Sequence, residues 1–209
     1  MTLQPDPSAD TLTPAQYGVG ARFTLSVYDD RYVAIILDAL GAADASGLTV
    51  ETGDISTFVA GGEADILRYL RDVIAHAAAS GAHLSAGILL SRGCPGELQC
   101  ELPPGVTAIG GAPVALEPTG VRARAHWSLY PLLDGHGGGE HMTGIYDAIR
   151  LAKDNGTFSG SDHFATRLDG DLADVLGTIA SGWLMVGAHV QHVTTHATIS
   201  INSPSRIAD

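Results

Sequence analysis

Asp54-Ile55-Ser56-Thr57-Phe58-Val59-Ala60-Gly61 and His163-Phe164-Ala165-Thr166-Arg167-Leu168-Asp169-Gly170 stand 109 positions apart and read as two versions of one stretch. Extending the register outward places residues 36–96 on residues 145–205 without a gap. Fourteen of these 61 paired positions are identical, among them Asp38/Asp147, Gly47/Gly156, Thr57/Thr166, Asp65/Asp174, His83/His192 and Pro95/Pro204. Others exchange like for like, as in Val59/Leu168, Ile66/Val175 and Leu84/Val193. Upstream the offset falls to 104, where Phe23 lies on Trp127 and Leu25 on Leu129. The second copy thus carries five extra residues, and Gly135-His136-Gly137-Gly138-Gly139 is the natural insert. Self-similarity at a fixed offset marks a duplicated structural unit. The predicted organisation is a flexible tail over 1–17, a first repeat over 18–97, a Pro- and Gly-rich linker over 98–119, and a second repeat over 120–209.

Each unit reads as βαββαβ. Residues 22–27 alternate, with Phe23, Leu25 and Val27 on one face and Arg22, Thr24 and Ser26 on the other, as in a half-buried strand. Asp30 can cap a helix whose apolar residues are Val33, Ile36, Leu37 and Leu40. Residues 48–52 and 55–60 predict two short strands around a turn at Gly53-Asp54. Asp65 opens a second helix carrying Ile66, Tyr69, Leu70, Val73 and Ile74, which Gly81 stops. In the last strand, 83–91, Leu84, Ala86, Ile88 and Leu90 face the helices, whereas His83, Ser85 and Ser91 face away. The predicted fold class is α+β: two tandem ferredoxin-like repeats, each a four-stranded antiparallel sheet with helices on one face. The other face of the second sheet holds His126, Ser128, Tyr130, His192, Thr194, His196 and Thr198. It reads as polar but uncharged, suited to packing on another sheet within the chain or across a dimer.

Composition narrows the function. Hydrophobic residues are 45% of the 209 and charged residues 16%, which builds a core and argues against disorder. A net charge of −12 repels phosphate backbones, so nucleic acid is not an expected partner. No apolar run approaches the roughly 20 residues of a membrane span. The polar start has neither the basic nor the apolar region of a signal peptide. Cys94 and Cys100 do not suggest a disulfide scaffold. Cytoplasmic residence is the expectation.

Several stretches carry a resemblance. Gly93-Cys94-Pro95-Gly96 closes the first unit, and Ser128-Leu129-Tyr130-Pro131 opens the second. Leu168-Asp169-Gly170-Asp171 precedes Asp174-Val175, and Asn202-Ser203-Pro204-Ser205-Arg206 nears the end of the chain. With Asp54-Ile55-Ser56-Thr57 and the two repeat histidines, their order and spacing resemble the YkoF family of thiamin- and hydroxymethylpyrimidine (HMP)-binding proteins. The resemblance implies an intertwined homodimer with one ligand site per repeat. It also implies a non-catalytic cytoplasmic role in thiamin or HMP uptake or salvage, beside a membrane transporter, with no cofactor. The chain departs from the family pattern at Asp54, where a His is expected and which the second repeat has as His163. It departs again at Ser26-Val27, where the second repeat keeps Tyr130-Pro131. Two related but non-equivalent sites are therefore expected.

The residues can be weighed against such a ligand. Thr57 and Thr166 sit on an otherwise apolar strand face beside Ile55 and Val59, and Phe164 and Leu168. A buried hydroxyl there needs a partner, either a pyrimidine or a neighbouring backbone group. Asp54, Ser56 and His163 lie at the inter-strand turn, where they can bond a ligand or serve the turn itself. His83 and His192 begin the last strands, as ligand contacts or as a shared structural bond. Phe23 and Trp127 face the core and can offer a stacking surface. Tyr130 points to the opposite face. Asp65 and Asp174 suit a first helical turn.

Other functional classes fit less well. His189, His192 and His196 suggest a metal-binding protein, but on one strand His192 and His196 stand about 13 Å apart. No H-E-x-x-H, G-x-S-x-G or Walker loop points to an enzyme. A regulatory module sensing a different small molecule rests on fold analogy alone.

Overall fold

The computed structural model describes residues 12–94, 106, 108–132 and 141–205. The elements in order are α1 (Pro14–Tyr17), β1 (Gly20–Tyr28), α2 (Tyr32–Ala42), β2 (Thr49–Thr52), β3 (Thr57–Ala60), α3 (Glu63–Ala78) and β4 (His83–Arg92). There follow β5 (Arg122–Leu132), α4 (His141–Asp154), β6 (Phe158–Asp162), β7 (Ala165–Asp171), α5 (Leu172–Gly187) and β8 (His192–Ile201). The glycine-rich insert 135–139, and Pro95, Gly96, Cys100 and Arg206, lie outside the described residues.

The α+β class and the doubled βαββαβ order match the sequence expectation. The expected pair of four-stranded sheets is corrected to one eight-stranded antiparallel sheet, ordered β2-β3-β1-β4-β8-β5-β7-β6. The last strands of the two repeats, β4 and β8, pair along their length from Leu84↔Ile201 to Arg92↔Val193. The ladder is centred on Ile88↔Ala197, and these two residues are themselves repeat equivalents. The duplication is thereby arranged about a local two-fold axis at that pair. Each unit left alone would expose a ten-residue strand with unpaired N–H and C=O groups; joining the two satisfies both rows.

The paired positions hold in three dimensions. Phe23 lies opposite Thr57 and Ile88, and Trp127 lies opposite Thr166 and Ala197. Helices α3 and α5 rest on one face of the sheet and on each other, flanked by α2 and α4. Leu84, Ala86, Ile88 and Leu90 are buried beneath them with Val193, Ala197, Ile199 and Ile201. Asp65 and Asp174 stand in first helical turns as expected. On the outer face, His126, Ser128, Tyr130, His192, Thr194, His196 and Thr198 project as expected. Charge is not absent there, because Arg122, Arg124, Arg167 and Asp169 share that face.

Local corrections have local causes. The residue before α2 is Arg31, without a side-chain cap, and Asp29 rather than Asp30 binds its N–H at 2.8 Å. Val33 and Leu37 are exposed, and Ala39 is the residue α2 buries; a helix apolar all round has no sequence signal for its inner face. Residues 14–17, read as tail, form a capped turn that buries Tyr17. Val106 and Val114 of the linker are buried. Cys94 is disulfide-bonded.

Two interactions divide the repeats. At the end of β4, Arg92 is 1% exposed, with Nη2 3.2 Å from Glu63 Oε1 and the rings of Tyr17 and Trp183 at 5.2 and 6.0 Å. The second repeat puts Ile201 and Leu172, both buried, where the first has Arg92 and Glu63. Asp171 ends β7 and caps α5. Its carboxylate accepts from Ala173 N at 2.8 Å, Thr119 N at 3.1 Å, Thr119 Oγ1 at 3.0 Å and Gly120 N at 2.6 Å. This ties the linker to the start of the helix. Burial raises the Asp171 pKa, but these hydrogen bonds outweigh it and hold the carboxyl below the usual carboxylate range.

Two predictions follow from these contacts. Glu63→Leu strands a buried guanidinium and is expected to cost about 3–5 kcal/mol, whereas adding Arg92→Ile recovers more than half; urea unfolding of the full chain measures both. Asp171→Ala is expected to cost about 1–2 kcal/mol at pH 7. Because the folded pKa is depressed, that advantage is full above the unfolded value near ~3.9 and fades as pH falls through the folded one. Denaturant midpoints of both proteins should therefore converge in acid.

Candidate functional site

The central element of each repeat is a hydroxyl paired across the ladder with an aromatic ring. Thr57 and Thr166 point toward the helices and are 5% and 8% exposed. Thr57 Oγ1 lies 3.1 Å from Oγ1 of Thr52, and Thr52 is exposed on the edge strand. The hydroxyl pair thus leads from the core to the rim of the sheet. Its aromatic partner Phe23 meets Tyr69 edge-on at 6.4 Å, and burial pushes the Tyr69 phenol pKa up. In the second repeat Trp127 donates its indole N–H to Thr195 Oγ1 at 2.7 Å, and Thr195 donates to Ser128 O at 2.9 Å. The indole is accommodated by Gly182, where a Cβ would stand 2.7 Å from the ring; the equivalent of Gly182 in the first repeat is Val73, matched to the smaller Phe23. Phe23 and Trp127 are therefore core residues, and the Trp127 donor is already used.

The turn residues form a second group. Asp54 is exposed, and Ser56 Oγ accepts from Arg22 Nη1 at 3.1 Å. His163 is exposed beside Phe164, the rings 6.3 Å apart. Ile55 and Phe164 do not continue the apolar face of Thr57 and Thr166. They are 81% and 99% exposed at hairpin tips, and Phe164 has a φ of 68°. A turn in the left-handed region carries the side chain off the strand, so the alternation fails there. The second turn is tied to the outer face: Ser128 Oγ donates to Phe164 O at 2.9 Å, and His126 Nε2 lies 2.9 Å from Asp162 Oδ2.

The histidines and Tyr130 form a third group, on the outer face. His83 stacks on Tyr28 at 4.8 Å, and its Nε2 is 3.3 Å from Ser200 Oγ. His83 pairs with Tyr28, five residues along β1 from Phe23, so it stands roughly 17 Å from Thr57 and on the opposite face. His192 is placed the same way, beside Leu132. Tyr130 is 48% exposed and pairs with Thr194. The geometry joins Thr57 with Phe23, and Thr166 with Trp127. It sets Asp54, Ser56 and His163 at the adjoining turns, and separates both groups from His83, His192 and Tyr130. Among the described residues no three His, Cys, Asp or Glu side chains converge as metal ligands.

Sequence reasoning missed a further feature. Two grooves of about 510 and 450 Å³ flank the segment 203–205 and share Arg124, Ser200, Ser203 and Ser205. The signal was available in the alternation Arg122, Arg124, His126, which sets three basic side chains on one face of a strand.

Comparison with known proteins agrees with this architecture. A family model described as the YKOF-related family matches residues 18–97 and 122–206. The chain is 31% identical over 192 residues to the "Putative HMP/thiamine-binding protein YkoF" of Bacillus subtilis (strain 168), covering 90% of this chain and 92% of that protein.

Proposed function

Because this chain belongs to the YkoF-related family, we propose that it binds thiamin or its HMP moiety noncovalently, with one site per repeat. The observation that carries the reading is the recurrence of a buried Thr opposite an aromatic ring, Thr57 with Phe23 and Thr166 with Trp127, in one register. An aminopyrimidine requires hydrogen-bonding groups around a flat apolar ring, and a hydroxyl on an apolar wall beside an exposed turn offers both. Asp54 at the first turn favours the thiazolium cation, whereas His163 at the second offers an imidazole. The sites differ in this charge, and so in affinity. The role is binding without chemistry, supporting thiamin or HMP uptake or salvage beside a membrane transporter.

Calorimetry of the full chain with thiamin, HMP and zinc tests the assignment. Two unequal binding steps are expected with a pyrimidine ligand. Thr57→Val and Thr166→Val should each weaken a different step, by about tenfold for a lost buried hydrogen bond. Tight zinc binding with no heat from either pyrimidine would overturn the reading, and equal loss of both steps in one variant would contradict separate sites.

We also place the protein in the cytoplasm as a homodimer joined through the outer sheet face, where Tyr28, Leu89 and Tyr130 are exposed. No helix among the described residues is long and apolar enough to cross a membrane. The full chain is expected to show the mass of two chains by light scattering. A single-chain mass counts against the dimer.

A further inference from the structure

We infer that Arg124 and the serines around it form an oxyanion site of phosphate type on the outer face of the second repeat, separate from the ligand site proposed at Thr166. In a chain of net charge −12, this is a local reversal of sign. Every other arginine among the described residues has a hydrogen-bond or ion-pair partner; Arg124 has none.

The ladder explains why. Asp169 stands directly opposite Arg124, yet its oxygens are held by the Arg122 fork, at 2.8 Å from Nε and 2.9 Å from Nη2. Asp162 is held by His126 and Arg167, and Asp171 by Thr119, Gly120 and Ala173. Three arginines face two outer-face carboxylates, which leaves one cation uncompensated. On the other side Arg124 is paired in register with Ser200.

The surroundings suit an anion. The groove of about 510 Å³ is bordered by Arg122, Arg124, Ser200, Asn202, Ser203 and Thr119, with no carboxylate in its wall. Its size lies within the range of about 300–1,000 Å³ common for small-molecule sites. A guanidinium presents a planar fork of N–H donors that matches two phosphate oxygens, and serine hydroxyls can rotate to donate to the others. Asn202 fixes the segment beside the groove: its φ is 53°, and its Nδ2 donates to Ala78 O and Ala82 O at 3.1 and 3.2 Å. The first repeat has Gly20 at the position of Arg124, so the cation of this site has no counterpart there.

Titration of the isotope-labelled full chain with inorganic phosphate, read at the arginine Nε–H signals, tests this. A saturable shift at Arg124 is expected. Arg124→Gln should weaken phosphate binding by about tenfold, as loss of a charge-assisted bond requires, and Arg31→Gln should leave it unchanged. Asp169→Asn releases the Arg122 fork and should tighten binding severalfold, which tests the site even if Arg124→Gln fails to fold. No saturable shift at Arg124, or Asp169→Asn binding no more tightly than the parent, would overturn the inference. Thiamin monophosphate competing better than inorganic phosphate assigns the anion to a phosphorylated ligand; equal competition assigns it to free phosphate. Thiamin heats, assigned to the ligand site proposed at Thr166, are read separately, so loss of either reading leaves the other standing.

Discussion

The β4–β8 ladder is the interaction on which the rest of the molecule depends. A single βαββαβ unit covers one face of four strands and leaves its last strand as a bare edge. Pairing that edge with its own duplicate closes both rows of backbone groups at once. It also brings α3 and α5 into contact over the junction, so that one core runs beneath all eight strands. The two copies are held in a fixed relation about Ile88 and Ala197, and every paired position inherits that relation.

Within this frame the repeats keep their geometry and exchange their chemistry. Phe23 with Val73 becomes Trp127 with Gly182, a transfer of volume from helix to strand that preserves close packing. Glu63 with Arg92 becomes Leu172 with Ile201, an ion pair replaced by two aliphatic side chains. Gly93 and Asn202 both adopt the left-handed conformation at the strand end, one by lacking a Cβ and the other with a side chain that binds the end of α3. The scaffold tolerates divergence wherever both members of a pair change together.

Much of this was legible in the sequence, for physical reasons. Strand β4 could be read because Leu84, Ala86, Ile88 and Leu90 are buried on one side only. The offset of 104 upstream and 109 downstream reappears in the ladders, because strand register carries side-chain identity with it. The joining of the sheets was not legible, since backbone hydrogen bonds between β4 and β8 leave no mark on which side chains are chosen. Ile55 and Phe164 misled because an apolar residue beside a strand reads as strand, while the left-handed turn at Phe164 turns it outward. The paired threonines were legible as recurring residues. The grouping around them was not, because the face on which His83 lies follows from tertiary alternation that a list of recurring residues does not contain. Arg124 went unnoticed because its significance lies in the occupation of Asp169 by a different arginine.

The eight-stranded sheet has only two free edges, and both are formed by the short hairpin strands, β2 with four residues and β6 with five. Glu51 interrupts one, and an irregularity in register between Phe158 and Gly160 bends the other. Charge and distortion of this kind discourage a neighbouring chain from adding a strand. The same hairpins carry Asp54 and His163 at their turns. Protection of the sheet edges and the proposed ligand preference thus draw on the same two hairpins, and a change to one is constrained by the other.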